Sequence, residues 1–335
     1  MGRSAVLGVY PLAYRIELWR SKREIGGKGA RVIGLRSVWT ARGPSPHILY
    51  PDCVPELPEV ETIVRGLDKR ATGDTIESVW IGSRKQPLKS PAGVIASTLE
   101  GKRIVRVHRA GKHIVFDLEK AAQPRKGRGT DAKTAQWIVH LGMTGRMVVC
   151  ESAAEIAKHT HLIAKMTSGR ELRFIDPRMF GKLSVHIQPE SGGFDPGGVE
   201  PLEVSEEQFI ALFRGRKTPI KSALLNQKLL RGVGNIYADE SLFRTGIRPR
   251  RRAAAITRQQ LAELHRAVRE VLREAIALGG SSISDYVDAN GEEGFFQLQH
   301  RVYGREGEPC LVCGTAIRRV VLAGRSSHYC SKCQK

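Results

Sequence analysis

Four cysteines close the chain as Cys310-Leu311-Val312-Cys313 and Cys330-Ser331-Lys332-Cys333, with sixteen residues between the pairs. Each pair offers two sulfurs from one tight turn, and the paired spacing is that of a four-thiolate zinc site. A tetrahedral ion held this way ties the intervening hairpin into a ribbon. Protein fills all four positions and leaves none for water, so one Zn2+ is expected in a structural role. Cys53 and Cys150 stand alone, and six cysteines are too few for a disulfide scaffold in 335 residues, which points to a reducing compartment. Arg318, Arg319 and Arg325 fall between the pairs, so the ribbon is expected to face phosphate.

The wider composition agrees. Lys plus Arg is 54 against 34 Asp plus Glu, a formal charge of +20. Such an excess calls for a polyanionic partner, nucleic acid ahead of a membrane surface. No run of 18 apolar residues occurs, which excludes a membrane-spanning helix. The length suits about two domains.

Residues 1–53 are basic, interrupted by Gly, Pro and Ser, and show no sustained period. From Pro58 a helix is readable, with Val60, Ile63, Val64 and Leu67 on one stripe. Strand-like runs follow at Ile76–Ile81, Ile104–His108, His113–Leu118, Trp137–Leu141, Gly145–Val149, His161–Met166 and Leu172–Ile175, as in an antiparallel sandwich or barrel. Gln123–Thr134 reads as a solvated loop and Gln188–Pro201 as a hinge. Beyond it the period turns helical over Glu206–Arg214, Ile220–Leu230, Asn235–Thr245 and Arg258–Leu278.

The most distinctive string is Pro55-Glu56-Leu57-Pro58-Glu59-Val60-Glu61-Thr62. By itself it is a proline-punctuated helix start with acids in the first turn. It is followed, in order, by Gly111-Lys112, His140-Leu141-Gly142-Met143-Thr144-Gly145, Asp176-Pro177-Arg178-Met179-Phe180-Gly181, Gly232-Val233-Gly234-Asn235-Ile236-Tyr237-Ala238 and the cysteine ribbon. This series closely resembles the formamidopyrimidine-DNA glycosylase family, bacterial enzymes of 8-oxoguanine repair, over Pro55–Lys335.

The resemblance implies an α+β fold: an N-terminal β-sandwich with flanking helices, a helix-two-turn-helix domain and a zinc β-ribbon. The expected division is an atypical extension at 1–54, a catalytic sandwich at 55–187, a linker at 188–205, the helical domain at 206–298 and the ribbon at 301–335. Duplex DNA carrying oxidised bases or abasic sites would bind between the halves, to a monomer in the bacterial cytoplasm at the nucleoid.

It also implies roles. Pro55 is the expected nucleophile: its secondary amine attacks the sugar C1′ of an extruded nucleotide and forms an iminium, an electron sink for elimination of the 3′ phosphate. Glu56 is the expected proton donor in glycosidic cleavage. Glu59, one turn on, either shares the site or fixes the helix. Lys112 is expected to assist β-elimination, and Arg325 to clamp phosphate in the second, δ-elimination. His159, Lys217 and Asn235 match phosphate-binding positions. Met143, Arg178 and Phe180 match the trio that fills the void left by the base. Ser281–Phe296 matches a loop closing over an everted purine. Cys310, Cys313, Cys330 and Cys333 would hold the metal.

The chain departs from the family in one decisive way. The family's proline is N-terminal, whereas 54 residues precede Pro55 here. An amide nitrogen, its lone pair delocalised into a carbonyl, is no nucleophile. The expectation is that Val54 is the true start, read as methionine and trimmed; the alternative is proteolytic removal of a leader. Met179 replaces a common second arginine, a small loss of backbone affinity. Two other readings stay open: an endonuclease VIII-type enzyme for oxidised pyrimidines, and a non-catalytic lesion binder whose Pro55 stays blocked.

Overall fold

The computed structural model describes residues 54–120, 135–187, 193–281 and 294–335. Outside these lie residues 1–53, the basic loop expected at Gln123–Thr134, the start of the hinge (188–192) and most of the expected closing loop (282–293).

Helix α1 (Leu57–Ala71) starts where the sequence places it. Pro58 occupies the first turn, where a missing N–H costs nothing, and the Glu59 carboxylate accepts the Glu56 N–H at 2.9 Å. Val60, Ile63, Val64, Leu67 and Ala71 share one face and are buried in the sandwich core.

That core lies between two antiparallel four-stranded sheets. The strands are β1 (Ile76–Ile81), β2 (Lys102–Ala110), β3 (His113–Lys120), β4 (Ala135–His140), β5 (Arg146–Glu151), β6 (Thr160–Met166), β7 (Arg170–Ile175) and β8 (Lys182–Ile187). One sheet runs β2-β3-β4-β8, the other β1-β6-β7-β5. Alternate residues point inward, among them Phe116, Trp137, Leu162, Leu172 and Phe174. Phe116 stacks on Trp137 at 4.7 Å between centroids. Two elements lack a clear sequence signal: helix α2 (Ala92–Leu99), only 8 residues long, and the edge strand β8, which buries Leu183 and Val185 alone.

The second core is helical, built from α3 (Glu206–Phe213), α4 (Ile220–Leu224), α5 (Asn235–Arg244) and α6 (Arg258–Ala277). Ser205 and Thr257 cap α3 and α6 by accepting the Gln208 and Gln260 N–H groups. The helix expected over Ile220–Leu230 stops at Leu224. Asn226 ends it, its side chain accepting the Lys228 N–H at 3.0 Å and its carbonyl the Leu229 N–H at 2.8 Å. Residues 229–231 then pair with Val199 instead of continuing the helix.

The ribbon strands β9 (Ile317–Leu322) and β10 (Arg325–Cys330) are antiparallel, joined through Ala323 and Gly324. The buried Glu240 of α5 accepts the N–H groups of Arg301, Val302 and Tyr303, anchoring the approach to the ribbon. Leu57 packs in the helical core while the rest of the α1 apolar face packs in the sandwich. The start of α1 thus lies where the two cores meet.

Candidate active site

The loop ahead of α5 is shaped around the start of α1. Leu57 donates its N–H to the Gly232 carbonyl at 3.0 Å. Gly232 has φ +87°, and a Cβ there would lie 2.8 Å from the Leu57 side chain. At Gly234 a Cβ would fall 2.1–2.5 Å from the Glu56 carboxyl atoms. The two glycines are therefore the space that Leu57 and Glu56 occupy.

Glu56 is buried beside Pro55, itself buried. Its Oε1 accepts the Ile236 N–H at 3.2 Å, in the first turn of α5. Its Oε2 makes no hydrogen bond among the described residues. Burial pushes the carboxyl up from 4.5 to about 7; the Lys112 ammonium and the Ile236 and Tyr237 N–H groups oppose this, and Glu59 adds to it. The result is a carboxyl able to hold or release a proton near neutrality, with one oxygen unengaged.

Glu59 faces the same junction but is occupied otherwise. Tyr237 donates its O–H to Oε1, Ser281 donates its N–H to Oε1 at 2.8 Å, and the Glu56 N–H goes to Oε2. These bonds hold down a carboxyl that burial raises. Glu59 braces α1 against α5 and the start of the closing loop.

Lys112 is half-buried in the turn between β2 and β3, after Gly111 at φ +60°. Arg109 braces this turn: it bonds the Gly111 carbonyl at 3.2 Å, Glu61 of α1 at 2.9 Å and Glu200 through both terminal nitrogens.

From the other side comes the ribbon. Lys221 and Asp239, both buried, pair at 2.7 Å. Lys221 Nζ also donates to the Ser326 carbonyl at 2.6 Å, and Asp239 accepts the His328 N–H at 2.8 Å. Asn235 donates to Ser326 Oγ at 3.3 Å. This network fastens β10 to α4 and α5 and carries the exposed Arg325, next to Ser326, toward the junction. Burial depresses the Lys221 pKa and Asp239 opposes the shift.

A second group forms around the buried Asp176. It accepts Thr144 O–H at 2.6 Å and Gly181 N–H at 2.7 Å, joining the loops after β4 and β7. Met143, half-buried, projects from the first loop; Arg178 and Phe180 project from the second, the guanidinium 4.9 Å from the ring centroid. Phe180 is 53% exposed, so its ring is open to a partner on the side away from Arg178. His159 is exposed at φ +68°, its carbonyl accepting the Asp176 N–H at 3.0 Å. The His140 ring accepts the Gly142 N–H at 3.0 Å and fixes the Met143 loop; burial, then the neighbouring His113, Lys182 and Lys112, push its pKa down to about 3.

Pro55, Glu56, Lys112, Asn235 and Arg325 thus converge on the α1–α5 junction, and Met143, His159, Arg178 and Phe180 on the Asp176 loops. Lys217 stands apart, exposed on the connection from α3 to α4. Sequence reasoning missed Lys221 and Asp239, and the part played by the Ile236 N–H and the Tyr237 hydroxyl. Ile236 and Tyr237 lay inside a quoted motif; a lysine flanked by apolar residues gives no signal of burial.

The four cysteine sulfurs lie within 4.8 Å of one another, with 3.9 Å from Cys310 to Cys333 and 3.5 Å from Cys313 to Cys330. A tetrahedron with metal–sulfur bonds of ~2.3 Å has edges of about 3.8 Å, so the set fits zinc. Phe243, Val302 and Ile317 pack around it.

Comparison with known proteins gives three matches along the chain. Residues 54–183 match the formamidopyrimidine-DNA glycosylase N-terminal domain, 198–287 the H2TH domain of that enzyme, and 307–335 a zinc finger found in FPG and IleRS. A formamidopyrimidine-DNA glycosylase of Solibacter usitatus is 44% identical over 284 residues, 84% of this chain and 100% of the relative. The crystal structure of the MutM (Fpg) protein from Thermus thermophilus superposes with a TM-score of 0.71 at 38% identity, over 84% of this chain and 98% of that one. A complex of Lactococcus lactis Fpg with DNA containing an abasic site gives 0.73 at 32% identity, over 84% and 99%. Among the described residues no helix is long and apolar enough to cross a membrane.

Proposed function

The chain belongs to the formamidopyrimidine-DNA glycosylase family, and from that premise we propose that it excises oxidised purines from duplex DNA and then cuts the strand at the abasic site. It is a bifunctional glycosylase and abasic-site lyase of base excision repair, with one structural zinc held by Cys310, Cys313, Cys330 and Cys333. The observation that carries the reading is the buried Glu56 carboxyl, poised near neutrality beside Pro55.

In this reading the damaged nucleotide leaves the stack, at a cost of a few kcal/mol, and Met143, Arg178 and Phe180 fill the gap. The Pro55 secondary amine, free at a processed N-terminus, attacks C1′. Glu56 supplies the proton that the departing base requires, recovers one from the Pro55 nitrogen, and passes it to the ring oxygen O4′ as the sugar opens and the iminium forms. The resulting iminium makes the C2′ proton acidic, so the 3′ phosphate departs by β-elimination with Lys112 at hand. Arg325 steadies the 5′ phosphate for δ-elimination. Asn235, His159 and Lys217 bind backbone phosphates. The ribbon's role is positional: zinc fixes the hairpin, and the Lys221–Asp239 pair docks it. The expected place of action is the bacterial nucleoid.

Incubation of the chain beginning at Pro55 with duplexes carrying 8-oxoguanine, thymine glycol or an abasic site tests this. Incision of the 8-oxoguanine and abasic duplexes, leaving phosphate at both ends of the gap, supports it. Preference for thymine glycol would assign the chain to the pyrimidine-directed type. Binding without incision would make it a lesion-recognition protein.

A further inference from the structure

Lys217, set apart from the other phosphate-binding candidates, belongs to a larger basic feature. The connection from α3 to α4 and the segment after α5 run side by side. Ala254 donates its N–H to the Arg216 carbonyl at 2.8 Å, Ala253 to Thr218 at 2.9 Å, and Ile220 to the Arg251 carbonyl at 2.7 Å, with Pro219 bridged to Arg252. Two short basic stretches are thereby brought together, Arg214-Gly215-Arg216-Lys217 and Arg250-Arg251-Arg252.

Neither stretch brings its own counter-charge. No Asp or Glu occurs from residue 208 to 238, nor from 241 to 262. The side chains of Arg214, Arg216, Lys217, Arg250 and Arg252 are exposed, and among the described residues none forms an ion pair. Arg216 is held by the neutral Leu212 carbonyl, which fixes its direction without cancelling its charge. Elsewhere on this surface arginines are partnered by acids, as Arg244 is by Glu274 and Arg305 by Glu308. Uncompensated, closely spaced guanidinium groups repel one another, and an outside polyanion relieves that cost.

The patch is tied to the active site by a short piece of chain. Lys221 follows Lys217 by one short step of sequence, a reach of at most about 14 Å, and Lys221 bonds the Ser326 carbonyl beside Arg325. The patch therefore lies close enough to the α1–α5 junction for the same duplex to reach both.

We propose that Arg250 and Arg252, with Arg214 and Arg216, extend the phosphate track of Lys217, so that the protein grips one arm of the duplex beyond the lesion. The proposal rests on the DNA-repair reading of the site. It commits to a double-stranded arm on one side only, because these cations form one patch at one end of the junction.

The test uses the double variant R250A/R252A and wild type, both beginning at Pro55, with each duplex made in two forms: a stable abasic analogue for binding and 8-oxoguanine for incision. One duplex is short on both sides; two others are lengthened by about ten base pairs, one helical turn, on one side or the other. Wild type gains affinity on lengthening one particular arm. The variant loses that gain, about tenfold, and its salt dependence on the long duplex becomes shallower by ~1.8, from ~0.9 for each of two phosphate contacts. Its affinity for the short duplex and its incision rate there stay at the wild-type level, and its melting temperature is unchanged. Equal losses on all three duplexes, or no loss on any, would overturn the proposal. A wild-type protein that fails to cut the short 8-oxoguanine duplex would instead overturn the enzymatic reading, while the length-dependent binding to the abasic analogue remains measurable.

Discussion

The Glu56 carboxylate accepts the Ile236 N–H at 3.2 Å, joining the first turn of α1 to the first turn of a helix 180 residues further along the chain. This bond spans the two cores, and it leaves Oε2 without a partner among the described residues. The arrangement gives each half of the protein a share in one proton-handling group.

Replacing Glu56 with Gln keeps the shape and an oxygen for the Ile236 N–H but removes the proton. Excision from 8-oxoguanine duplex should fall by about 100-fold or more, in the range of a lost general acid. Incision of a preformed abasic site needs no glycosidic protonation and should change far less. Parallel single-turnover assays on the two substrates check the split.

The same substitution has a signature in stability. The Glu56 carboxyl titrates at about 7 in the folded protein against an ordinary value of 4.5. Its stabilising contribution is therefore complete below pH 4.5 and is lost as pH rises through about 7. Wild type should lose up to ~3 kcal/mol between those limits that the Gln variant does not. Denaturant melts at about pH 4, 6 and 8 measure the difference; a gap that fails to widen with pH would show that the carboxyl is not held in its neutral form.

How much of this was legible beforehand varies with the physics. Helix α1 and strand β1 follow from apolar periodicity, and the cysteine spacing alone indicates the metal. The end of α4 did not show, because one Asn side chain bonding two residues ahead outweighs the helical pattern running through it. Glu59 could not be separated from Glu56 by spacing, since both lie on the same turn; only the Tyr237 hydroxyl and Ser281 N–H reveal that its oxygens are engaged. Lys221 and Asp239 are distant in sequence, and burial of a lysine depends on packing that no local pattern encodes.

Phe180 can be tested without harming the fold. It is 53% exposed, so Phe180→Ala should leave the melting temperature within about 1 °C, as for surface substitutions generally. Affinity for lesion-containing duplex should fall by about 1–3 kcal/mol through lost wedging and stacking on bases. Titration by fluorescence anisotropy alongside a melt decides between a DNA contact and a packing residue.

Cys330 is buried among the four sulfurs and packs the metal site on Phe243 and Val302. Cys330→Ser should release the zinc, measurable by elemental analysis. Arg325 would lose its support, so DNA affinity and the second elimination should both decline. Restoring zinc to chelator-treated wild type should recover both; it should not rescue the variant.

The central claim concerns the Pro55 nitrogen, and borohydride reduction in the presence of abasic-site DNA addresses it directly. A chain beginning at Pro55 should become covalently joined to the oligonucleotide, with the linkage mapped to that proline. A chain still carrying residues 1–54 should not. Equal trapping of both chains, or a linkage mapped to Lys112, would contradict the account.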